Sequence, residues 1–541
     1  MTETVPPVVE AVAGPTDRRR WLVLAVLCAS VFVVVLDGTI INVALPTLAT
    51  ELGASTSELQ WIVDSYVLVF AGLLIAAGSL GDRVGRKGIM QVGLALFAVF
   101  SALAAWSDSP GELIGWRAAM GIGAALMFPA TLAILVNVFT APRERAAAIA
   151  VWAATAGVAV ALGPVTGGFL LEHFWWGSVL MINVPVIAVA LVAIALVVPT
   201  SRDTTIKRFD PVGTLASIAG IGTLVWAVIE GPEHGWASTT SIVAFTLATV
   251  LLVGFVAWER HTDHPMLDVS VFADMRFTAG SLAVTFAFFA LFGFIFVVTQ
   301  YFQFVRGYGT LEAGVRTVPF AVFMASTAPI AAKLAELVGT KLVVTGGLLS
   351  MAVGFAIATT TEVDTSYGIV VLTMFFLGAG LGLIQAPATE AIMGAVPPAK
   401  AGVGSAVNDT ARELGGTLGV AIVGSVFSSI YASHLGDALA GTPVPTEAVA
   451  IARESVGGAN AVAEQAGATA GAQAQAFISD AVNGAFVDGW HAGSWVSFAF
   501  VVIGAIVAWR FLPARATPAP PPAASVSPST SPRTYAVTQT H

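Results

Sequence analysis

The sequence is poor in charge and in cysteine, and these shortages exclude several classes of protein. Charged residues make up 11% of the 541 residues, whereas soluble domains carry about 25%, so we do not expect a soluble enzyme. The single cysteine, Cys28, excludes an intrachain disulfide, and the seven histidines are too scattered for a zinc site. No G-x-x-x-x-G-K-[ST] motif is present. The sequence therefore predicts no ATP use, no catalytic residues, no cofactor and no metal.

Positive charge is scarce as well. The 33 acidic residues outnumber the 24 basic ones, which argues against nucleic-acid binding because that function needs a basic surface. Long apolar runs are abundant instead: hydrophobic residues account for 56% of the chain and the mean hydropathy is +0.85. These runs reach about twenty residues, the length of a transmembrane helix rather than of a β-barrel strand. We predict an all-α integral membrane protein in the lipid bilayer, with fourteen spans at 21–45, 59–81, 88–106, 111–138, 144–171, 178–198, 211–230, 239–258, 277–301, 314–336, 340–360, 367–395, 400–432 and 489–512.

The basic residues between these spans predict an orientation. If the N-terminus is cytoplasmic, 20 of the 24 Lys and Arg residues fall on the cytoplasmic side, as the positive-inside rule requires. The other four are three outer residues and one residue inside span 4, namely Arg306, Arg316, Arg453 and Arg117. We therefore predict a multi-pass protein of the cell membrane with both termini cytoplasmic. Its tails would be 1–20 and a disordered, proline-rich stretch at 513–541.

Two short matches at nearly the same offset indicate an internal repeat. Gly78–Lys87, between spans 2 and 3, shares an acid, a glycine and the final lysine with Ala332–Lys341, at an offset of 254. Pro129-Ala130-Thr131 in span 4 recurs as Pro387-Ala388-Thr389 in span 12. Such repeats are typical of transporters that alternate access to a central path. The predicted divisions are a first six-helix bundle at 21–200, an insert of two helices at 201–276, and a second six-helix bundle at 277–512, whose outer segment 433–488 is either a weak helical hairpin or unstructured.

Three ionisable residues lie at membrane depth. Asp37, Asp64 and Arg117 fall roughly 8–12 Å below the outer surface at 1.5 Å per helical residue. Charges in hydrocarbon are costly and mark functional sites. One interpretation is an inert structural ion pair. The other is a site that exchanges protons for organic cations, with Asp37 as the exchanging acid, Arg117 tuning it and Asp64 sharing the cation.

A second polar layer lies near the cytoplasmic edge. It consists of one residue of span 12 and four of span 13, namely Glu390, Asn408, Asp409, Arg412 and Glu413. A solvated or gate-forming cluster is favoured over a proton site here. Four aromatic residues are candidates for lining a cation pocket, since a cation over a ring gains about 0.5–2 kcal/mol, although each also suits lipid or core: Trp61, Tyr66, Phe128 and Phe292.

Two glycine-rich segments have regular spacing. The first lies between spans 2 and 3 and suits either positive-inside anchoring or a latch that closes the cytoplasmic side. Its candidate residues are Gly78, Asp82, Arg83, Gly85, Arg86 and Lys87. The second, in span 5, suits close helix packing around a proline kink, through Gly157, Gly163, Pro164, Gly167 and Gly168.

Together these motifs resemble the major facilitator superfamily, in its fourteen-helix drug:proton antiporter branch. Leu36–Pro46 is similar to that branch's helix 1 motif, and Gly78–Lys87 to the superfamily's loop 2–3 motif. Arg117 with Gly121 and Gly123 resembles the helix 4 motif implicated in proton transfer, and Gly163–Gly168 the helix 5 motif associated with export. Trp61–Asp64 and Pro265–Asp268 resemble the QacA-type multidrug exporters.

The chain departs from the family pattern at Met120, where glutamine is usual, and at Trp176-Gly177-Ser178 before Asn183-Val184-Pro185. The resemblance implies a monomeric, proton-coupled exporter of hydrophobic, often cationic, compounds that needs only the proton gradient. Two alternatives stay open: a dedicated exporter of an endogenous metabolite, lipid or antibiotic on the same fold, and a non-transporting membrane sensor.

Overall fold

Helices make up all the regular structure in the part of the chain that the computed structural model describes, residues 17–139, 141–200, 210–263, 265, 267, 269–396 and 401–513. Two short elements interrupt the α-helices, a 3-10 helix at Val269–Ala273 and a π-helical turn at Tyr301–Val305. The α-helices are α1 (Asp17–Glu51), α2 (Thr56–Val84), α3 (Arg86–Ala104), α4 (Pro110–Val138), α5 (Pro142–His173), α6 (Ser178–Met181), α7 (Asn183–Val197), α8 (Pro211–Ile229), α9 (Gly231–His234), α10 (Thr239–His261), α11 (Met275–Gln300), α12 (Thr310–Val338), α13 (Thr340–Ala358), α14 (Tyr367–Gly394), α15 (Ala401–Leu439), α16 (Thr446–Glu454), α17 (Val456–Ala470) and α18 (Ala472–Phe511).

Thirteen helical segments among the described residues are long and apolar enough to cross a membrane. The chain is therefore a multi-pass membrane protein, and the predicted fold class is confirmed. These segments match thirteen of the fourteen predicted spans. The remaining one, 314–336, is α12, a helix of 29 residues that packs against α5 and α14. Its length suits a span, while Glu312, Arg316, Lys333 and Glu336 make it less apolar.

Two boundaries differ from the sequence prediction for local reasons. Helix α2 begins at Thr56 because Ser55 and Glu58 form a capping box, in which each side chain satisfies the other residue's backbone N–H. The sixth span is broken into α6 and α7 at Ile182. Pro185 lies in the first turn of α7, where its missing N–H costs no helical hydrogen bond. Asn183, the first residue of α7, is 1% exposed.

The two halves repeat the same packing. Helix α1 packs on α5 as α11 packs on α15, and α4 packs on α2 and α3 as α14 packs on α12 and α13. The joints between paired helices also correspond: Gly85 has φ +119° and Gly339 has φ +94°, values that glycine adopts at no steric cost. Two matching six-helix bundles follow from these repeated contacts.

The bundles meet at one face of the membrane. We call the face at which α1 begins the proximal face and the face at which it ends the distal face. Near the distal face, Thr299 of α11 donates a hydrogen bond to the Asn42 carbonyl of α1 at 2.9 Å, and Gln303 donates to the Val43 carbonyl at 2.9 Å. Thr310 donates to the Gly168 carbonyl at 3.1 Å. These contacts join the two bundles near the distal face, an arrangement that we call distal closure.

Helices α8 to α10 form the insert, and α8 packs on both bundles. It lies along α2. A methyl group at Gly72 of α2 would contact Ile218 of α8, and one at Gly222 of α8 would contact Leu68 of α2. It also meets α15, because the Ser425 hydroxyl donates to the Val228 carbonyl at 2.8 Å. The insert thus covers the seam between α2 and α15.

The predicted outer segment 433–488 is helical. It comprises the end of α15, α16, α17 and the start of α18, and α17 packs against α18 and α1. Thr56 at the start of α2 donates to the Glu454 carbonyl at 3.0 Å. The segment therefore connects the second bundle to the α1–α2 turn at the distal face. Of the predicted tails, 1–16 and 514–541 lie outside the described residues.

Candidate functional site

The first bundle contains a fully buried ion pair. Arg117 of α4 and Asp37 of α1 are both 0% exposed, and Arg117 Nη1 donates to Asp37 Oδ2 at 2.5 Å. Counting residues from the helix ends placed Asp37 and Arg117 at the same membrane depth, and the structure shows them in contact. Breaking a buried pair by removing one partner leaves an uncompensated charge, so each residue depends on the other.

Asp37 has a second partner that the sequence reasoning did not assign. Asn183 of α7 donates from Nδ2 to Asp37 Oδ1 at 2.7 Å and also contacts Ser101 Oγ at 3.1 Å. Ser101 in turn donates to the Leu180 carbonyl at 2.8 Å. The available signal was the Asn183-Val184-Pro185 motif, whose asparagine lies on α7, a helix that packs on α1. Both carboxylate oxygens of Asp37 are therefore engaged.

Arg117 also connects this pair to α2. Its Nε donates to the Ile62 carbonyl at 3.0 Å, and its guanidinium lies 4.4 Å from the centroid of the Tyr66 ring. The Tyr66 hydroxyl donates to the Val34 carbonyl of α1 at 3.4 Å. The backbone of α2 is thus tied to the ion pair two residues before Asp64.

Asp64 is buried in a different way. It is 0% exposed, yet neither carboxylate oxygen has a hydrogen-bond partner in the described part of the protein. A charged carboxylate buried without a counter-charge is costly. Asp64 therefore needs a proton, a cation or water, whereas Asp37 already has its partners. The sequence hypothesis placed these acids together, but the structure gives them opposite surroundings.

The glycines of α5 bring three helices into close contact. A methyl group at Gly163 would collide with the Thr39 side chain of α1, and one at Gly167 would lie 2.8 Å from Ile40. A methyl at Gly168 would lie 2.6 Å from the Leu311 Cα of α12. Gly157 has open space around it. The spacing therefore serves helix packing, and Gly168 serves the contact between the two bundles.

The segment between α2 and α3 is mostly helical rather than a loop. Within this segment, only Gly85 lies between the two helices. A methyl group added at Gly78 would lie 3.5 Å from Pro129 of α4. Arg86 donates to the Ala133 carbonyl at 3.4 Å and Lys87 to the Ala195 carbonyl at 2.9 Å. These two contacts lie within the first bundle. The side chains of Asp82 and Arg83, the other residues of the predicted latch, lie outside the described part.

The inner polar cluster is only partly connected. Thr389 of α14 donates to Asn408 at 3.1 Å and accepts from Arg412 at 3.4 Å. Asn408 donates to Asp409 at 3.3 Å. Glu390 is exposed at the proximal end of α14. Glu413 lies one turn after Asp409 on α15.

The four candidate aromatic residues do not form a single pocket. Tyr66 and Phe128 are linked through Phe70, with ring centroids 6.0 and 5.6 Å from the Phe70 ring. Trp61 points to the insert, where its Nε1 donates to Glu230 Oε1 at 3.1 Å. Phe292 packs against Gly416 of α15. Tyr66 is the one that contacts the buried ion pair.

No group of three His, Cys, Asp or Glu residues suited to a metal occurs within the described ranges.

Comparison with known proteins identifies the family. The family model described as "Major Facilitator Superfamily" matches residues 27–420, well over half of the chain. The chain belongs to the Major Facilitator Superfamily. Its similar members include the multidrug efflux pump LfrA of Mycolicibacterium smegmatis, which is 38% identical over 474 residues, 88% of this chain and 92% of LfrA. The methyl viologen resistance protein SmvA of Salmonella typhimurium is 36% identical, over 87% of this chain and 93% of SmvA.

Solved structures confirm the facilitator fold. A bacterial homolog of the human lysosomal transporter Spinster, solved in an inward-facing and unoccupied conformation, has a TM-score of 0.62 with this chain at 16% identity. The match covers 93% of this chain and 100% of that one. The similarity in structure therefore extends over nearly the whole of both chains.

The α5–α12 contact gives a first prediction about this facilitator chain. A methyl group at Gly314 would overlap the Pro164 carbonyl, so G314A should disfavour distal closure. Overpacking typically costs about 1–3 kcal/mol, which corresponds to roughly a 5- to 150-fold shift between closed and open states. We expect a cysteine placed by T299C, in a C28S background, to react correspondingly faster with an impermeant maleimide added at the distal face. G346A is the matched control because its methyl would meet open space. Equal labelling rates in both glycine variants would contradict the prediction.

Proposed function

We propose that the protein is a proton-coupled antiporter that exports hydrophobic, often cationic, compounds across the cell membrane. LfrA and SmvA are named for multidrug efflux and methyl viologen resistance, and they match nearly the whole chain. The distribution of Lys and Arg supports a cytoplasmic proximal face with both termini inside. The distal face would then be external, and the distal closure described above would correspond to an inward-facing state of a monomer.

The observation that carries the proposal is Asp64, a buried acid without a partner in the described protein. We assign the exchange of proton and cation to this residue. Either a proton or an organic cation relieves the cost of its buried charge, and one carboxylate cannot hold both at once. Competition for one acid is the minimum requirement for antiport, because binding of one ligand then requires release of the other.

In this proposal the Asp37–Arg117 pair has a positioning role. It links α1, α4 and α7 to one another and, through the Ile62 carbonyl, holds the turn of α2 that precedes Asp64. A shift of the pair would move that turn and change the surroundings of Asp64. The pair would thus couple rearrangement of the first bundle to exchange at Asp64.

The proton gradient alone can drive this cycle. A difference of one pH unit corresponds to about 1.4 kcal/mol, enough for roughly tenfold accumulation of a cation exchanged for one proton. Proteoliposomes with an acidic interior test this prediction. We expect them to accumulate external tetraphenylphosphonium or methyl viologen, and we expect an ionophore that collapses the pH gradient to stop accumulation. Uptake that is unaffected by the ionophore would exclude proton coupling.

A further inference from the structure

Three polar side chains on the seam between α2 and α15 lack partners. Gln60 and Asp64 of α2 and Thr417 of α15 are 1%, 0% and 1% exposed, respectively. Their side-chain polar atoms have no hydrogen-bond partner within the described residues. Buried polar groups in proteins are almost always paired, so a group without a protein partner indicates bound water or a ligand.

Helix geometry places these three residues on facing surfaces. Gln60 points at α15, because a methyl group at Gly424 would collide with the Gln60 amide. Asp64 follows Gln60 by four residues and therefore lies on the same face of α2. On α15, Thr417 precedes Ala421 by four residues, and Ala421 packs in one cluster with Leu68 of α2. All three polar side chains thus face the seam.

Their depths agree as well. Helices α2 and α15 run in opposite directions, and Gln60 meets Gly424. Asp64 lies four residues from Gln60, and Thr417 lies seven residues from Gly424, both toward the proximal face. The difference of three residues corresponds to about 4.5 Å along the helices at 1.5 Å per residue. One bound group can therefore lie between Asp64 and Thr417.

On the side that faces the lipid, apolar residues cover the seam. The cluster around Leu68 consists otherwise of α8 and α15 residues, namely Val225, Val228, Ile229 and Ala421. The insert therefore separates this stretch of the seam from lipid. In such a dry environment, hydrogen bonds to a charged group are stronger than in water. The insert would thus strengthen binding to the polar residues behind it.

We infer that Gln60, Asp64 and Thr417 form one binding site for a cation that donates hydrogen bonds. The carboxylate, the amide oxygen and the hydroxyl all accept hydrogen bonds, and the carboxylate supplies the opposite charge. Two sources share this chemistry, the ammonium group of a substrate and a protonated water molecule that carries the coupling proton. A cation without N–H or O–H groups matches the charge but not the acceptors.

The site also explains how a bound cation is released. Gln60 and Asp64 belong to the first bundle, and Thr417 belongs to the second. The site is complete only while the seam is closed, as it is here. When the bundles separate, Thr417 moves away from Asp64 and the cation loses part of its coordination. This inference rests on the proposed function, because it assumes that the bundles rearrange during transport.

The T417V variant tests the site, because it removes the hydroxyl and keeps the shape. We would measure equilibrium binding of two probes to the purified full-length protein, 1-naphthylmethylammonium, which has three N–H donors, and tetraphenylphosphonium, which has none. A lost hydrogen bond to a charged group should weaken ammonium binding roughly tenfold or more. Q60L should act in the same direction. T345V is the matched control, because Thr345 of α13 is also buried with an unpaired hydroxyl but lies on a helix that packs on α14 and α18.

The outcomes distinguish the two sources and the two hypotheses. Weaker ammonium binding with unchanged tetraphenylphosphonium binding assigns the site to the substrate's ammonium group. Unchanged binding of both probes, with fewer protons moved per tetraphenylphosphonium transported by T417V, assigns it to protonated water. T417V and Q60L variants that match wild type in binding and in coupling would overturn the inference, as would an equal loss in T345V. If the wild type binds the ammonium probe at this site but no pH gradient drives transport, the proposed function fails and the site stands.

Discussion

D64N should abolish accumulation driven by a pH gradient while leaving the protein folded. Asparagine has the same shape as aspartate but neither the charge nor the proton-binding site. Wild-type proteoliposomes with an interior one pH unit more acidic should accumulate a monovalent cation about tenfold, if one proton is exchanged for each cation. The variant should reach no accumulation above equilibrium. The measurement is uptake of radiolabelled tetraphenylphosphonium after an acid-inside pH jump.

The control for D64N is D480N, which makes the same change at an exposed carboxylate near the start of α18. D480N should accumulate the cation as wild type does. Thermal unfolding of purified D64N distinguishes lost coupling from lost structure, and we expect no decrease in stability because the replaced carboxylate has no protein partner in the described residues. Accumulation by D64N equal to that of wild type would exclude Asp64 as the exchanging acid.

R117Q should destabilise the protein strongly, and a second change should restore part of the loss. Arg117 and Asp37 are both fully buried, and removing one member of such a pair typically costs about 3–5 kcal/mol because the other charge is left uncompensated. D37N removes that charge, so D37N/R117Q should be more stable than R117Q alone. The measurement is thermal unfolding of the four proteins of this cycle in one detergent.

R316Q is the matched arginine control for this cycle. Arg316 pairs with Glu312 one turn away on α12, and their side chains are 26% and 49% exposed. A partly exposed pair of this kind contributes about 0.3–0.5 kcal/mol, and the Arg316 guanidinium also lies 4.0 and 4.6 Å from the ring centroids of Tyr308 and Tyr367, contacts that add roughly 0.5–1 kcal/mol each. R316Q should therefore unfold within a few degrees of wild type. If R117Q were no less stable than R316Q, the buried pair would have no positioning role.

Regular helix geometry explains which parts of the site could be predicted from sequence. Asp37 and Arg117 were placed at one depth by counting residues from helix ends, and they are in contact because α1 packs on α4 at that depth. The same count put Asp64 beside them. It failed to separate Asp64 from the pair because depth alone does not specify which neighbouring helix a side chain faces.

The features that the sequence did not reveal depend on contacts between distant segments. Asn183 reaches Asp37 because α7 packs on α1, and Trp61 contacts Glu230 because the insert lies along α2. The outer segment was left open between a helical hairpin and no structure, since its alanine- and glycine-rich composition has weak packing signals. Its helices are supported by contacts with the α1–α2 turn and with α18, which local sequence does not specify.

Proton movement caused by substrate is the most direct test of the proposed antiport. A pH-sensitive dye inside acidified proteoliposomes would report proton release when tetraphenylphosphonium is added outside, with wild type, D37N and D64N compared. We predict release in wild type, no release in D64N, and weaker release per folded molecule in D37N, because loss of the pair loosens the turn that precedes Asp64. Cation uptake without proton release in the wild type, or wild-type release in D64N, would contradict exchange at Asp64.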